Sequence, residues 1–289
     1  MTDIIANYAK KFQTYAKQNE AESKFKVVTD EVGGAVVCGL VNYSFKDDAA
    51  TMEAPIFSLS TQEDKQVWIW TSSDGTKTVE VKPSFYGRAT IFDKDLLIFA
   101  ASHLTAEINK GNIPSRTITF TTYSYFKATG KSTSGTYYER FKMSLERLKG
   151  TTITTNIKTG NIKTAKGFGI IDDWEVCENS DDHKNLAISV TLSKWLYNAI
   201  VSQEVLTISP DYFKIRKPLE RRLYEIARKH VGKQKQWSIT FESLQKKCGS
   251  VREPRKFRSE LKSLCESNNL PEYLYKIDDE SGKVIFTRK

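Results

Sequence analysis

ITFTTYSYFKATGKSTSGTYYERFKMSLERL (118–148) and ITFESLQKKCGSVREPRKFRSELKSL (239–264) are two statements of one pattern. Each opens on Ile-Thr-Phe, at Ile118 and Ile239, then runs through a short amphipathic segment, a polar turn and a second amphipathic segment. In that second segment apolar residues recur at i, i+4 and i+7: Phe141, Leu145 and Leu148, then Phe257, Leu261 and Leu264. Helical geometry gathers each triad on one face and leaves Arg and Lys on the other. A helix, a turn and a second helix with an apolar seam and a basic outer face is the pattern of a helix-turn-helix reader. The sequence therefore predicts two DNA-binding modules.

The flanks of each copy repeat as well. After the first come TTITTNI (151–157), the turn Lys158-Thr159-Gly160-Asn161 and a return strand over 162–171. After the second comes LYKIDDESGKVIFT (274–287), a strand, an acidic turn and a strand. A hairpin behind a recognition helix is a wing, so the expected fold class is α+β with two tandem winged-helix domains, 53–180 and 181–289. The linker falls at Glu178–Asn185, where polar and acidic residues cluster. Within the first domain IFSL (56–59), VWIWT (67–71) and TVEVKP (78–83) read as strands, the last two joined through Ser72–Gly75. A helix follows from an Asp93 N-cap, with Leu96, Leu97, Ala100, Leu104 and Ile108 as its stripe and Gly111 closing it. The second domain starts with a strand at Ile188–Leu192, a helix at Lys194–Val201 and another from Pro218 to Gly232. Residues 1–52 form an extension of unassigned role, with an amphipathic helix at 3–17, a break at Gly33-Gly34 and a turn at Lys46-Asp47-Asp48.

Charge supports the same reading. The chain has 289 residues and a net charge of +9. Residues 216–262 alone hold fifteen Lys/Arg against five Glu, and 131–166 hold eight against two. The first 60 residues are net −2. An excess confined to the two repeats is the footprint of a polyanion binder. A composition 39% hydrophobic and 11% aromatic excludes a disordered tail. No segment reaches the roughly 18 apolar residues of a membrane helix, and no apolar h-region follows the start, so a cytoplasmic protein is expected. Cys38, Cys177, Cys248 and Cys265 lie far apart, against a zinc site or a disulfide framework. No cofactor or metal is expected. Ala128-Thr129-Gly130-Lys131-Ser132 resembles the end of a phosphate loop, but its first glycine position holds Tyr125. His103, His183 and His230 are scattered, which argues against a metal-dependent nickase, so an enzyme is not expected.

Placing Phe257 inward turns Arg255, Ser259 and Lys262 outward, facing bases, with Arg252, Lys256 and Arg258 as mixed base and phosphate contacts. Pro254 can open that helix and leave N–H groups for a phosphate. On the first copy the outward set is Thr136, Glu139, Arg140, Met143 and Arg147, with Lys158 and Lys163 on the wing. Arg221 and Arg222, in the 220–236 block, are further candidates for lining DNA. The acidic tip Asp278-Asp279-Glu280 does not suit phosphate, so that wing either turns away or touches DNA only through Lys283 and Arg288.

The segments TIFDKDLLIFA (90–100), YYERFKMSLERLKGTTITTNI (137–157), FGIIDDWEV (168–176), LTISPDYFKIRKPLERRLYEIARKHVGKQKQW (206–237) and LPEY (270–273) carry a further signal. Over Thr90–Tyr275 the chain resembles the bacterial plasmid replication initiator protein A family. The resemblance implies two winged helices that bind repeated double-stranded DNA sites at an origin, help open the duplex and bring in host helicase or initiator proteins. A transcriptional repressor would need the same reading surface, and the resemblance decides between them. A homodimer is also expected, joined through the strands at 55–83 with Trp68 and Trp70 exposed at the contact.

Overall fold

The two helix pairs begin on the same device. In the computed structural model, which describes residues 44–160, 167–177 and 187–289 and the backbone of 28–29 and 35–36, Thr121 and Thr240 each end a strand and cap a helix. The Ser124 N–H donates to Thr121 Oγ1 at 3.1 Å, and the Ser243 N–H to Thr240 Oγ1 at 3.3 Å. Each bond satisfies a first-turn donor that the helix itself leaves orphaned. Matching the copies on these caps pairs Tyr125 with Leu244 and Thr129 with Cys248, all of them buried. The shared letters are therefore out of step. Ile118-Thr119-Phe120 lies wholly in a strand, whereas Phe241 is already the first helical residue.

The architecture is mixed α and β. The first unit contains β4 (Trp68–Thr71), β5 (Thr78–Lys82), α2 (Lys94–Asn109), β6 (Thr117–Thr121), α3 (Thr122–Ala128), α4 (Gly135–Gly150), β7 (Thr152–Thr155), β8 (Phe168–Gly169), β9 (Ile171–Cys177), β10 (Ala187–Leu192) and α5 (Lys194–Val201). Its strands form two sheets, β4-β5-β7-β8 and β1-β2-β6-β10-β9, where β1 is Val28–Thr29 and β2 is Ala35–Val36. In the second, β10 runs antiparallel to both neighbours, with Val190 opposite Ile118 and Trp174. The stripe expected on α2 understates it. This helix is buried almost all round, from Lys94 to Thr105, and forms the hub of the first core. Phe99 meets Phe120 and Tyr125 edge-on, at centroid distances of 5.1 and 5.5 Å. Phe141, Leu145 and Leu148 of α4 pack into the same core.

The second unit contains β11 (Val205–Thr207), α6 (Pro218–Val231), β12 (Gln236–Thr240), α7 (Phe241–Cys248), α8 (Pro254–Ser267), β13 (Tyr273–Asp278) and β14 (Lys283–Arg288). β14 lies between β12 and β13 in an antiparallel sheet. Leu223 and Ile226 of α6, Leu244 of α7, the Phe257–Leu261–Leu264 seam of α8 and Phe286 of β14 share one core.

Several expectations are revised. β10 and α5 belong to the first unit, because Val190, Leu192, Trp195 and Ile200 bury into its core. The second core begins only at Ile208 on this side of the chain. Lys46–Asp48 is not a turn but a strand, β3, paired antiparallel with β11 so that Asp47 faces Leu206. Asp48 then caps α1 (Ala49–Glu53), accepting the Thr51 N–H at 2.8 Å, and Met52 joins the second core. Residues 46–53 are thus a strap fastened to both units, pairing with β11 on one side and bonding Ser102 and Lys94 of α2 on the other, not part of a detached extension.

Asp93 does not cap α2 through its side chain. It accepts the Thr90 N–H at 2.7 Å and holds an arginine of α4. The segment 56–59 is not a strand and contributes only a single bridge, Ser58 to Thr90. Behind α4, β7 pairs with β8, while β9 leaves for the other sheet. The expected helix at 3–17, the break at Gly33-Gly34, the linker at 178–185 and the first half (162–166) of the return strand over 162–171 lie outside the described residues.

Candidate nucleic-acid interface

Three features make α8 a projecting, basic helix. Pro254 sits at its first turn, where a missing N–H costs nothing. The Phe257–Leu261–Leu264 face is at most 3% exposed, so the rotation of the helix is fixed. Arg252 in the preceding turn and Arg255, Lys256, Arg258, Ser259 and Lys262 on the helix are all exposed. The expected strip of Arg255, Ser259 and Lys262 does lie opposite the seam.

The cations of this strip differ in how they are engaged. Arg252 Nε lies 3.2 Å from Glu260, and Lys256 lies 3.5 Å from Glu253. Both are solvated pairs, which hold little energy. Arg258 stacks over the Phe241 ring at 4.4 Å. Arg258 and Lys262 both pair with Asp279, at 2.6 and 2.8 Å. Arg255 has no acidic partner among the described residues. The acidic wing tip therefore does not turn away; it folds back on α8. Nothing beside Asp279 in the sequence signals this contact: its neighbours are Asp278 and Glu280, and its two cation partners lie 17 and 21 positions away.

On the first copy Thr136 and Arg140 are exposed on α4, Arg140 lying over the Tyr137 ring at 5.7 Å. Lys158 is exposed just beyond β7. Lys163 lies outside the described residues. Arg147 is a correction: its Nε and Nη2 each donate to Asp93 at 2.7 Å, a two-pronged bridge from α4 to the start of α2. It is a structural clasp rather than a free surface cation. The Arg140 face opens onto a cleft of about 1190 Å³ whose far side carries Lys214 and Arg216. Those two exposed cations lie in no periodic pattern, and the sequence reading passed over them.

Arg221 and Arg222 are corrected for the same reason, more strongly. Each is 3% exposed. Arg221 bonds Asp95 of α2 at 2.5 Å and the Ile215 carbonyl at 2.8 Å, between the rings of Phe92 and Tyr212. Arg222 bonds Glu225 at 2.9 Å and the carbonyls of Thr51 and Lys247 at 3.1 and 2.9 Å. Buried guanidinium groups need such pairing, and at 3% exposure neither is placed to reach DNA. Beside them Lys94, fully buried, is shared by Asp47 at 2.7 Å and Glu225 at 3.0 Å. Burial pushes the Asp47 carboxyl up to about 8, Lys94 opposing it, whereas Lys94 and Arg222 outweigh burial and hold Glu225 low.

The family profile described as Replication initiator protein A matches residues 46–275. The chain belongs to that family. The match begins at β3, so it includes the strap as well as both units. The role of the chain is accordingly in replication initiation. It is 41% identical over 249 residues to a protein of Wigglesworthia glossinidia brevipalpis named "Putative replication protein", covering 85% of this chain and 90% of that one. Among solved structures, two of domains 2 and 3 of RctB share its fold at 16% identity. Their TM-scores are 0.58 and 0.55, and the matches cover 82% and 83% of this chain and 97% of each of those. Among the described residues no helix is long and apolar enough to cross a membrane.

Proposed function

We propose that this family member starts plasmid replication by binding repeated double-stranded DNA sites at an origin through two winged helices. In this reading α8 enters a major groove, and Arg255, Ser259 and Lys262 face base edges. α4 presents Thr136 and Arg140 to a neighbouring groove, and Lys158 follows the backbone. The observation that carries the reading is the rotation of α8: a buried seam on one face, and on the opposite face a strip whose Arg255 is free of acidic partners among the described residues. The work is binding, without bond-breaking chemistry, in the cytoplasm and with host helicase or initiator proteins as later partners. Two modules reading successive grooves imply direct repeats of about 20 bp, two helical turns.

The test is a titration on a duplex selected from a random library and on its scrambled counterpart. Arg255→Ala is expected to cost about 1–3 kcal/mol on the selected duplex and to relax discrimination. Lys256→Ala is expected to weaken both duplexes alike and to lower the salt slope by about one. Wild-type affinity of Arg255→Ala on both duplexes would remove α8 from the interface.

We also propose a homodimer through the first unit, with one revision. Trp70 is buried and Trp68 half-buried beneath Arg88, so the exposed apolar residues here are Ile69 of β4 and Val67 just before it. β4 is an edge strand, and an exposed apolar edge is suited to pairing. Light scattering of Ile69→Lys is expected to show loss of dimer; a monomeric wild type at every concentration would exclude it.

A further inference from the structure

The hairpin between β13 and β14 is shaped to deliver one carboxylate to α8. Asp278 is committed inside the turn. Its Oδ1 accepts the N–H groups of Glu280 and Ser281, both at 3.2 Å, and its Oδ2 accepts the Ser281 hydroxyl at 2.7 Å. Those bonds fix the tip and set Asp279 beside the helix. There Oδ1 takes Arg258 at 2.6 Å and Oδ2 takes Lys262 at 2.8 Å. The two cations are four residues apart and hence on one face. Phe241 braces the Arg258 guanidinium from behind. One anionic group bridging an arginine and a lysine is the arrangement a phosphate would adopt there. The carboxylate covers the C-terminal half of the basic strip and leaves the half around Arg255 open.

We propose that Asp279 is a specificity-determining residue, an intramolecular stand-in for phosphate that keeps Arg258 and Lys262 from neutralising DNA of arbitrary sequence. The proposal rests on the duplex-binding reading above. Affinity for random DNA comes almost wholly from phosphate neutralisation, so each cation already satisfied inside the protein subtracts from it. A selected site is less affected, because Arg255 and Ser259 supply base contacts that Asp279 does not touch, and of the base-facing set only Lys262 must leave the carboxylate to reach DNA. Tethering also matters: the hairpin gives its carboxylate an effective concentration at the helix that is set by the fold rather than by the bulk salt, unlike a free counterion. Each pair is half-exposed and individually weak, so the effect belongs at several-fold.

Glu280 provides the control. It sits on the same tip, carries the same charge and has no cation partner among the described residues. Full-length wild type, Asp279→Asn and Glu280→Gln would be titrated against a labelled random-sequence duplex of roughly 30 bp, about three helical turns. The salt range would be about 50 to 200 mM. Asp279→Asn is expected to bind random duplex about five-fold more tightly. Its log affinity against log salt is expected to steepen by one to two, for up to two recovered phosphate contacts. On the selected duplex the gain is smaller, so discrimination narrows. When Arg258 and Lys262 are both replaced by Met, Asp279→Asn is expected to bring no gain. An unchanged Asp279→Asn, or an equal gain from Glu280→Gln, overturns the role of Asp279 while leaving duplex binding intact. Failure of the wild type itself to bind any duplex overturns the underlying reading, and this proposal with it.

Discussion

Glu53 ends α1 where Lys229, Lys247 and His230 converge from α6 and α7, at 3.4, 2.8 and 3.6 Å. Burial alone would raise its pKa, but the hydrogen bond and charge of Lys247, then Lys229, outweigh it and hold the carboxyl at about 2. A folded pKa below the unfolded value gives stability that is present above about pH 4.5 and lost as pH falls toward 2. Glu53→Gln is therefore expected to cost about 2 kcal/mol near neutrality. Denaturant melts at stepped pH should show the gap to wild type closing below pH 4; a constant gap would mean that packing, not charge, explains the loss. The arginines show where residue-level reading ends. Arg221, Arg222 and Arg255 look alike in the sequence, all Arg on amphipathic helices. What separates them is Asp95, 126 positions from Arg221, and a set of carbonyls that no periodicity reveals. The strip on α8 was legible because its own seam fixes its rotation.

At the scale of elements, what the sequence repeats is a capped strand-to-helix corner rather than a string of letters. The i, i+4, i+7 seams survive intact, since burial selects side chains by helical period. The Ile-Thr-Phe match does not survive, since Thr119 faces its neighbour Ser189 within the sheet while Thr240 caps a helix. Thr240→Ala is accordingly expected to cost about 1 kcal/mol, and Thr121→Ala a similar amount, whereas Thr119→Ala should cost less than either cap. Thermal melts of the three variants would test this, and equal losses from all three would refute the cap assignment. The strap at 46–53 escaped notice for a related reason. Its strand is three residues long and its partner, β11, lies near residue 206, so neither alternation nor a local turn signals the pairing.

For the molecule as a whole, the joint between units is electrostatic at its centre. Asp95 of α2 meets Arg221 of α6 and Lys131 of the α3–α4 turn. Removing one partner from a buried pair strands the other in a dry site, at a cost of about 3–5 kcal/mol. Arg221→Met is therefore expected to split one unfolding transition into two, read by calorimetry; a single transition at the wild-type midpoint would show that the units are joined by other contacts.

The strap also sets an order of events during synthesis. Residues 46–53 leave the ribosome early, yet β11, Arg222 and the second core that Met52 enters are made more than 150 residues later. At about 5–20 residues per second, the wait is on the order of 10–30 s. Through that interval Met52 and the carbonyls of Thr51 and Glu53 have no partner, while the first unit can already close around α2. The nascent chain can therefore seat Lys46 and Asp47 on Ser102 and Lys94 of α2 first, and completes the strap's contacts to β11 and α6 last. Limited proteolysis of stalled chains should find a cut near residue 50 that disappears only once α6 has emerged.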